Sequence, residues 1–158
     1  MDDWRDELRA FLREQTEVEE AEAAALKERQ TEAYRFIDTT ARAAAASLEQ
    51  ALHQVRSGRS LEGQFNPEPP RPFVSISILR NQRVEFVYRL NLAISPKCIV
   101  PVKAITEEAA PDPRTTRVES AESSPHLREK GLSDITPDDL VRDILDAYRS
   151  VLLSHRQL

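Results

Sequence analysis

The N-terminal third of the chain has hydrophobic residues at helical spacing and contains no helix-breaking residue. Residues from about 3 to 57 include neither glycine nor proline and are rich in Ala, Glu, Gln, Arg and Leu, which are strong helix formers. The first apolar side chains recur every three or four positions, as one side of a helix requires: Trp4, Leu8, Phe11, Leu12 and Val18. The pattern predicts either one long helix or a helical hairpin over residues 1–57.

The hydrophobic row weakens in the middle of this segment. An acidic run at residues 17–22 interrupts it, and the apolar spacing resumes between Ala33 and Val55. A single straight helix would be about 80 Å long at 1.5 Å per residue, which one small domain cannot cover. The weak middle therefore predicts a bend or a solvent-spanning stretch, and the imperfect heptads favour a short coiled-coil seam over a long uniform one.

Residues 58–72 lack the pattern of a regular element. Glycine and proline are frequent there, and proline favours extended backbone without ladder hydrogen bonds: Gly58, Gly63, Pro67, Pro69, Pro70 and Pro72. The segment is predicted to be a linker between the helical part and a small α+β domain at residues 73–158.

After the linker, the hydrophobic period changes to two, which is the spacing of a half-buried β-strand. Apolar residues alternate from Val74 to Ile78, and then at six successive positions: Val84, Phe86, Tyr88, Leu90, Leu92 and Ile94. A third strand is expected from Cys98 to Val102. Pro101 within it favours an edge position, because proline donates no ladder hydrogen bond. We expect a three- to four-stranded antiparallel β-meander.

The C-terminal part predicts a polar loop followed by a helix. Residues 107–134 contain three prolines and many acidic and serine residues, which is typical of a flexible acidic loop, with a short strand near 115–118. Thr136 and Pro137 suit the N-cap and the first position of a helix, whose apolar stripe begins at Leu140. With this helix packed on the sheet, the predicted fold class is α+β.

Charge is unevenly distributed along this acidic chain. The formal net charge is −5, yet residues 67–105 hold two acids and six bases. Basic side chains at the predicted turns and on the polar side of the sheet are candidates for a positive patch: Arg80, Arg83, Arg89, Lys97 and Lys103. Ordinary solubilising charge at turns and strand edges explains the same residues, and we favour that interpretation.

The residues that most reaction chemistry needs are scarce. The chain has three glycines, too few for a glycine-rich phosphate-binding loop. The single cysteine, Cys98, rules out an intramolecular disulfide and is expected to be a small buried hydrophobe. None of the histidines His53, His126 and His155 has a neighbour at a metal-ligand spacing. We therefore expect no catalytic site, no metal and no cofactor.

The predicted helix has more apolar surface than a small sheet and one further helix can cover. Trp and Phe are enriched at protein interfaces, so the N-terminal row predicts partner binding through Trp4, Leu8, Phe11, Leu12 and Val18. We expect a homo-oligomer, with a dimer favoured, or binding to another protein. Packing of the row in the chain's own core is the alternative.

The function hypotheses follow from these patterns. The first is a non-enzymatic scaffold, adaptor or chaperone-like subunit of a larger assembly. The alternative is a nucleic-acid-associated accessory factor that uses the basic β-meander, although the acidic balance disfavours nucleic acid and membranes as partners. A third hypothesis is an enzyme whose site forms only between subunits. The first residues show no signal-peptide pattern and no apolar run could span a membrane, so a cytoplasmic location is expected.

Overall fold

The fold is described by a computed structural model that covers residues 3–108, 114–120 and 124–156. Its regular elements are helix α1 (Trp4–Arg35), a π-helical stretch (Phe36–Ala41), helix α2 (Arg42–Gln54), strands β1 (Arg59–Asn66), β2 (Phe73–Arg80), β3 (Arg83–Ile94), β4 (Ile99–Glu108) and β5 (Arg114–Ser120), a 3₁₀ turn (Leu132–Asp134) and helix α3 (Pro137–Arg156). This order of helix, sheet and helix confirms the predicted α+β class.

The N-terminal helix is continuous from α1 through α2. Both ends of the π-helical stretch keep right-handed helical backbone, with φ −62° and ψ −41° at Arg35 and φ −64° and ψ −41° at Arg42. The alternative of a helical hairpin is therefore wrong, because no glycine or proline breaks the helix. Beyond α2, Arg56 and Gly58 take positive φ values of 49° and 71°, the left-handed conformation that commonly ends a helix.

All five strands form one antiparallel sheet in the order β1-β2-β3-β4-β5. The expected number of three to four strands is therefore too low. Strand β1 lies within the segment 58–72, for which the sequence predicts a linker, and that prediction is wrong for the residues of β1. Leu61 and Phe65 of β1 pack against the core, but Gly63 and the prolines that follow obscure this short alternation in the sequence.

Strand β4 is internal, contrary to the edge position that Pro101 favours. It pairs with β3 on one side and with β5 on the other. The pairing with β5 begins at Val102, opposite Ser120, so Pro101 lies one residue outside the two-sided part of β4. A missing N–H at this position is compatible with a strand that is internal over the rest of its length.

The hydrophobic core lies between one face of the sheet and the helices. Side chains alternate across β2, β3 and β4, and those on the inner face are buried: Val74, Ile76, Ile78, Phe86, Tyr88, Leu90, Leu92 and Ile105. The continuous helix contributes its second half, from Ala33 to Leu48, and α3 contributes Leu140, Ile144 and Val151. No described residue before Ala33 belongs to this core.

Part of the segment 107–134, predicted to be a flexible acidic loop, is ordered. β4 extends to Glu108, and β5 contains the short strand expected near 115–118. Farther along the segment, Leu127 and Leu132 are buried in the core, as is Ile135 directly after it. Residues 109–113 and 121–123 lie outside the described residues, so the loop predicted there stays a prediction.

Helix α3 begins with reciprocal capping, in agreement with Thr136 as the predicted N-cap. Thr136 Oγ1 accepts a hydrogen bond from the backbone N–H of Asp139 at 3.1 Å, and Asp139 Oδ2 accepts one from the backbone N–H of Thr136 at 3.0 Å. This is a capping box with an aspartate at its third helical position. The hydrogen bond from Lys130 Nζ, followed by that from the Thr136 backbone, lowers the pKa of Asp139 to about 2.

We expect the Asp139→Asn substitution to lower the free energy of unfolding by about 1 kcal/mol at neutral pH, because the lost ion pair with the partly exposed Lys130 is screened by solvent. The folded pKa is below the ordinary value of 3.8, so this contribution is present above about pH 4 and is lost as the pH falls through about 2. Urea unfolding of wild type and variant across this pH range measures it. Asp138→Asn at the exposed neighbouring position is the control, and a difference that stays constant down to pH 2 would contradict the assignment.

Candidate functional site

The N-terminal half of the continuous helix extends beyond the rest of the domain. Every residue from Asp3 to Ala24 is exposed, and the first buried side chain of the helix is Ala33. The exposed segment is about 30 Å long at 1.5 Å per residue. The predicted solvent-spanning stretch is confirmed, and it includes the whole N-terminal row as well as the acidic run.

The five residues predicted to bind a partner all lie on this exposed segment. Their relative exposures are 63% for Trp4, 46% for Leu8, 58% for Phe11, 51% for Leu12 and 50% for Val18. Because the helix is continuous, their spacing of three, four and seven residues places them along one side of it. None of the five belongs to the core of the described domain. They form a surface of the folded chain, which we call the N-terminal seam.

The N-terminal seam is large for an exposed apolar surface. Large apolar side chains bury about 150–250 Å² each, so the exposed fractions of the five amount to on the order of 500 Å² per chain. Contiguous apolar patches of this size are typical of binding surfaces, whereas an isolated exposed leucine is ordinary.

An apolar groove continues the seam towards the sheet. It has a volume of about 580 Å³ and lies between α1 and the turn that joins β3 to β4. The helix lines one wall and the turn lines the other: Val18, Ala21, Glu22 and Ala25, then Ser95, Pro96 and Lys97. Val18 belongs to both the seam and this β3–β4 groove, so the two form one continuous surface.

The five residues of the candidate basic patch do not converge on one surface. Arg80 and Arg83 flank the β2–β3 turn, whereas Lys97 lies in the β3–β4 turn, at the other end of β3. β3 spans 12 residues, so the two turns are roughly 35–40 Å apart at about 3.3 Å per residue. Arg89 lies between them, with its guanidinium carbon 3.9 Å from the centre of the Phe73 ring.

The fifth member of that patch, Lys103, is buried. Strand β4 places it on the inner face of the sheet, opposite Leu90 of β3, and its relative exposure is 6%. Its Nζ donates a hydrogen bond to Ser124 Oγ at 2.5 Å and lies 3.5 Å from Asp143 Oδ2. Lys103 therefore contributes no charge to a binding surface and instead belongs to the interior.

Lys103 is part of a buried polar cluster that joins α3 to the sheet. Asp143 of α3 is 2% exposed and accepts a hydrogen bond from the Tyr88 hydroxyl at 2.6 Å. Burial, and after it the charge of Asp143, raises the pKa of Tyr88, so the hydroxyl remains a donor. Glu119 of β5 adds a second carboxylate, 3.6 Å from Lys103 Nζ. We call the residues Tyr88, Lys103, Ser124 and Asp143 the Asp143 cluster.

The contact between Lys103 and Ser124 resembles a base–nucleophile pair but does not meet its requirements. A lysine base has to reach a nucleophile that a substrate can also reach, whereas Lys103 Nζ lies among Ser124 and two carboxylates in the interior. Ser124 is 1% exposed, so a substrate has no access to its hydroxyl. The geometry of the Asp143 cluster fits a structural role.

A second, half-buried cluster joins β1, β3 and α3. Glu85 accepts hydrogen bonds from the Tyr148 hydroxyl and from Arg59 Nε, the latter at 3.1 Å. Desolvation, and after it the hydrogen bond to Glu85, raises the pKa of Tyr148. The Tyr148 ring also packs on Phe86, with 5.2 Å between the ring centroids. This cluster fixes α3 against the sheet from a different side than Asp143 does.

The remaining candidates for chemistry lie apart from one another. Cys98 is exposed, so the expectation that it is a buried hydrophobe is wrong. His126 pairs with Asp146 at 2.6 Å near the surface, and His53 is exposed near the end of α2, while the side chain of His155 lies outside the described part. Within that part, no three His, Cys, Asp or Glu side chains are grouped so as to hold a metal ion.

Sequence reasoning missed the Asp143 cluster, although a signal for it exists. Asp143 is three residues after Leu140 and four before Ala147, so it lies inside the apolar stripe of α3 rather than on another face. Lys103 is two residues from Ile105 and therefore on the same, inner face of β4. Two residues of opposite charge at positions whose spacing predicts burial indicate a buried ion pair.

The chain matches no family model, and comparison with curated proteins and with solved structures found no significant match. Among the described residues, no helix combines the length and the apolar character that crossing a membrane requires. What the chain can bind therefore has to be inferred from its own surface.

Proposed function

We propose that the chain is a non-enzymatic protein–protein interaction module, acting as a scaffold, adaptor or chaperone-like subunit of a larger assembly. The observation that carries this proposal is the N-terminal seam, five large apolar side chains on a helix that extends beyond its own core. Burying such surface is favourable by about 25 cal/mol per Å², so a helix that presents it binds another apolar surface wherever one of matching shape is available.

The partner that we favour for the N-terminal seam is a second copy of the chain. Two facing seams would bury on the order of 1,000 Å², and flanking polar side chains would bring this near the ~1,200 Å² at which specific interfaces begin. An interface of this size is expected to give a reversible dimer, with a dissociation constant in the micromolar range. A single exposed thiol is in keeping with a reducing compartment, and we place the module in the cytoplasm.

Two other partners have weaker support. Helices that bind a lipid surface carry lysine and arginine on their polar face, whereas α1 carries the acidic run at residues 17–22. The alternative of a nucleic-acid-associated accessory factor requires a continuous basic surface. Among the described residues, Lys97 is far from Arg80 and Arg83, and Lys103 is buried.

We expect the double substitution Leu8→Asp with Phe11→Asp to convert a dimer into a monomer without lowering the melting temperature of the dilute, monomeric chain. Two charges in the middle of the seam would have to be desolvated in the interface, but neither side chain contacts the core. Size-exclusion chromatography with light scattering, on wild type and variant at tens of micromolar, measures the mass, and thermal unfolding measures the stability.

The matched control is Ala10→Asp with Ala24→Asp, which adds the same charge on the other side of the same exposed segment. This control should remain dimeric. A wild-type chain that is monomeric at all accessible concentrations would refute self-association, and an earlier melting of the dilute Leu8→Asp, Phe11→Asp variant would show that the seam packs on its own domain.

A further inference from the structure

We propose that two copies associate through antiparallel N-terminal helices, with Trp4 of each copy in the β3–β4 groove of the other. This inference rests on the proposed function and deepens it, because it specifies the orientation and the register of self-association. It follows from the spacing of the seam, the position of the groove and the distribution of charge around both.

The spacing of the seam is centred near Leu12. Residues seven apart lie on nearly the same side of a helix, and two such rows run along α1: Trp4, Phe11, Val18 and Ala25 in the middle, and Arg5, Leu12, Glu19 and Leu26 on one flank. In an antiparallel pair related by a two-fold axis, each flank of one helix faces the same flank of the other helix. An axis beside Leu12 therefore brings Leu12 against Leu12, and Arg5 against Glu19.

The same register brings Trp4 to the β3–β4 groove. With the axis at Leu12, Trp4 of one copy lies beside Val18 and Ala21 of the other, which are part of the wall of that groove. Trp4 is 63% exposed in the single chain, where Arg5 lies against its ring, 4.8 Å from the centroid. The small alanine side chains and Pro96 leave room for a large aromatic ring, and this is the kind of pocket that an interface tryptophan fills.

One pair of opposite charges on each flank fits this arrangement. Arg5 meets Glu19 on one flank, and on the other flank Glu7 of one copy comes near Lys97, which borders the groove of the other. Each of these contacts occurs twice in a two-fold dimer.

A parallel pair brings like charges together in the middle of the seam. Eighteen residues complete five turns of an α-helix, so Glu22 lies on the same side as Trp4, in the middle of the seam. In a parallel dimer Glu22 would face its own copy, and Glu14 would flank Glu19. Both contacts are repulsive. The antiparallel pair also places the two sheet domains at opposite ends of the joined helices, where they do not compete for space.

Cysteine cross-linking tests the orientation, in a Cys98→Ser background that removes the native exposed thiol. The three positions Arg5, Leu12 and Glu19 are seven residues apart, so they lie on one flank and are matched for exposure. We expect Leu12→Cys alone to form a disulfide-linked dimer under mild oxidation. Arg5→Cys and Glu19→Cys should each stay uncross-linked alone and should cross-link when the two variants are mixed. Cross-linking of Arg5→Cys or Glu19→Cys with itself would overturn the antiparallel arrangement.

A charge reversal tests the same register without cysteines. We expect Arg5→Glu to weaken dimerisation by roughly tenfold, because it places like charges together at two sites. The double variant Arg5→Glu with Glu19→Arg should restore wild-type affinity to within about threefold, since both pairs are remade with reversed sign. Failure of the second substitution to restore dimerisation would overturn the pairing of these residues.

Trp4 is the single tryptophan of the chain, so its fluorescence reports its own environment. We expect its emission maximum to move to shorter wavelength as dimer forms, and Ala25→Glu in the groove to reduce that movement and weaken dimerisation. A wild type that remains monomeric by light scattering would refute self-association, the part of the proposed function on which this arrangement rests. A stable dimer that fails the cross-linking and fluorescence tests would refute only the arrangement proposed here.

Discussion

Replacing Asp143 by alanine is expected to lower the free energy of unfolding by about 3–5 kcal/mol, the cost of removing one partner from a buried ion pair. The substitution leaves Lys103, at 6% exposure, without the carboxylate 3.5 Å from its Nζ. It also leaves the buried hydroxyl of Tyr88 without its acceptor, which itself costs about 1–3 kcal/mol. Urea unfolding of the variant and the wild type measures the loss.

The same cluster supplies its own controls. Lys103→Met combined with Asp143→Leu removes both charges of the pair, and we expect this double variant to recover part of the lost stability. The uncompensated buried charge is gone, but the Tyr88 hydroxyl still lacks its acceptor. Asp146→Ala removes an exposed carboxylate of the same helix that pairs with His126 and should cost less than about 1 kcal/mol. A loss of similar size for Asp143→Ala and Asp146→Ala would contradict the structural role of the Asp143 cluster.

The fold class and the buried face of the sheet could be predicted because they depend on local spacing. In β3, a strict period of two places Phe86, Tyr88, Leu90 and Leu92 on one face, and all four are buried. The absence of glycine and proline from the first segment likewise predicts helix, although it leaves a hairpin open. Strand β1 is harder to recognise because Gly63 interrupts its alternation and prolines follow it closely.

The tertiary environment of single polar residues could not be predicted in the same way. Lys103 and Asp143 are far apart in sequence, and charged residues such as these usually lie at the surface. Their contact forms only because the sheet and α3 pack together. Cys98 is the opposite case: cysteine is commonly buried, but this one lies in an exposed turn. The spacing within α3 and β4 places Asp143 and Lys103 on buried faces, but their pairing with each other depends on long-range packing, which spacing within one element does not contain.

The candidate binding site has some features that local spacing predicts and others that depend on tertiary packing. The helical spacing of the N-terminal seam predicts that Trp4, Leu8 and Phe11 share a side of one helix, but the same spacing fits a core helix equally well. The seam is exposed because the sheet and α3 are long enough to cover only the part of the helix that begins near Ala33. The β3–β4 groove brings together residues from α1 and from a turn more than seventy positions later, so no local pattern indicates it.

Ile37→Ala is expected to lower the free energy of unfolding by about 2–5 kcal/mol, whereas Leu12→Ala in the same continuous helix should change it by less than about 0.5 kcal/mol in the dilute, monomeric chain. Ile37 is 0% exposed in the π-helical stretch over the sheet, so its truncation leaves a cavity and loses apolar burial. Leu12 is 51% exposed on the N-terminal seam, and alanine is the better helix former at that position.

Thermal unfolding of both variants over a range of protein concentrations separates the two roles of the helix. The loss in Ile37→Ala should be the same at every concentration, because it arises within one chain. The wild type should melt at higher temperature as concentration rises, since association stabilises the folded state by mass action, and Leu12→Ala should weaken that dependence. A large loss of stability for Leu12→Ala at the lowest concentration would mean that the seam is buried within its own chain. If the melting temperatures of wild type and Leu12→Ala depended equally on concentration, the seam would not be where the chains meet.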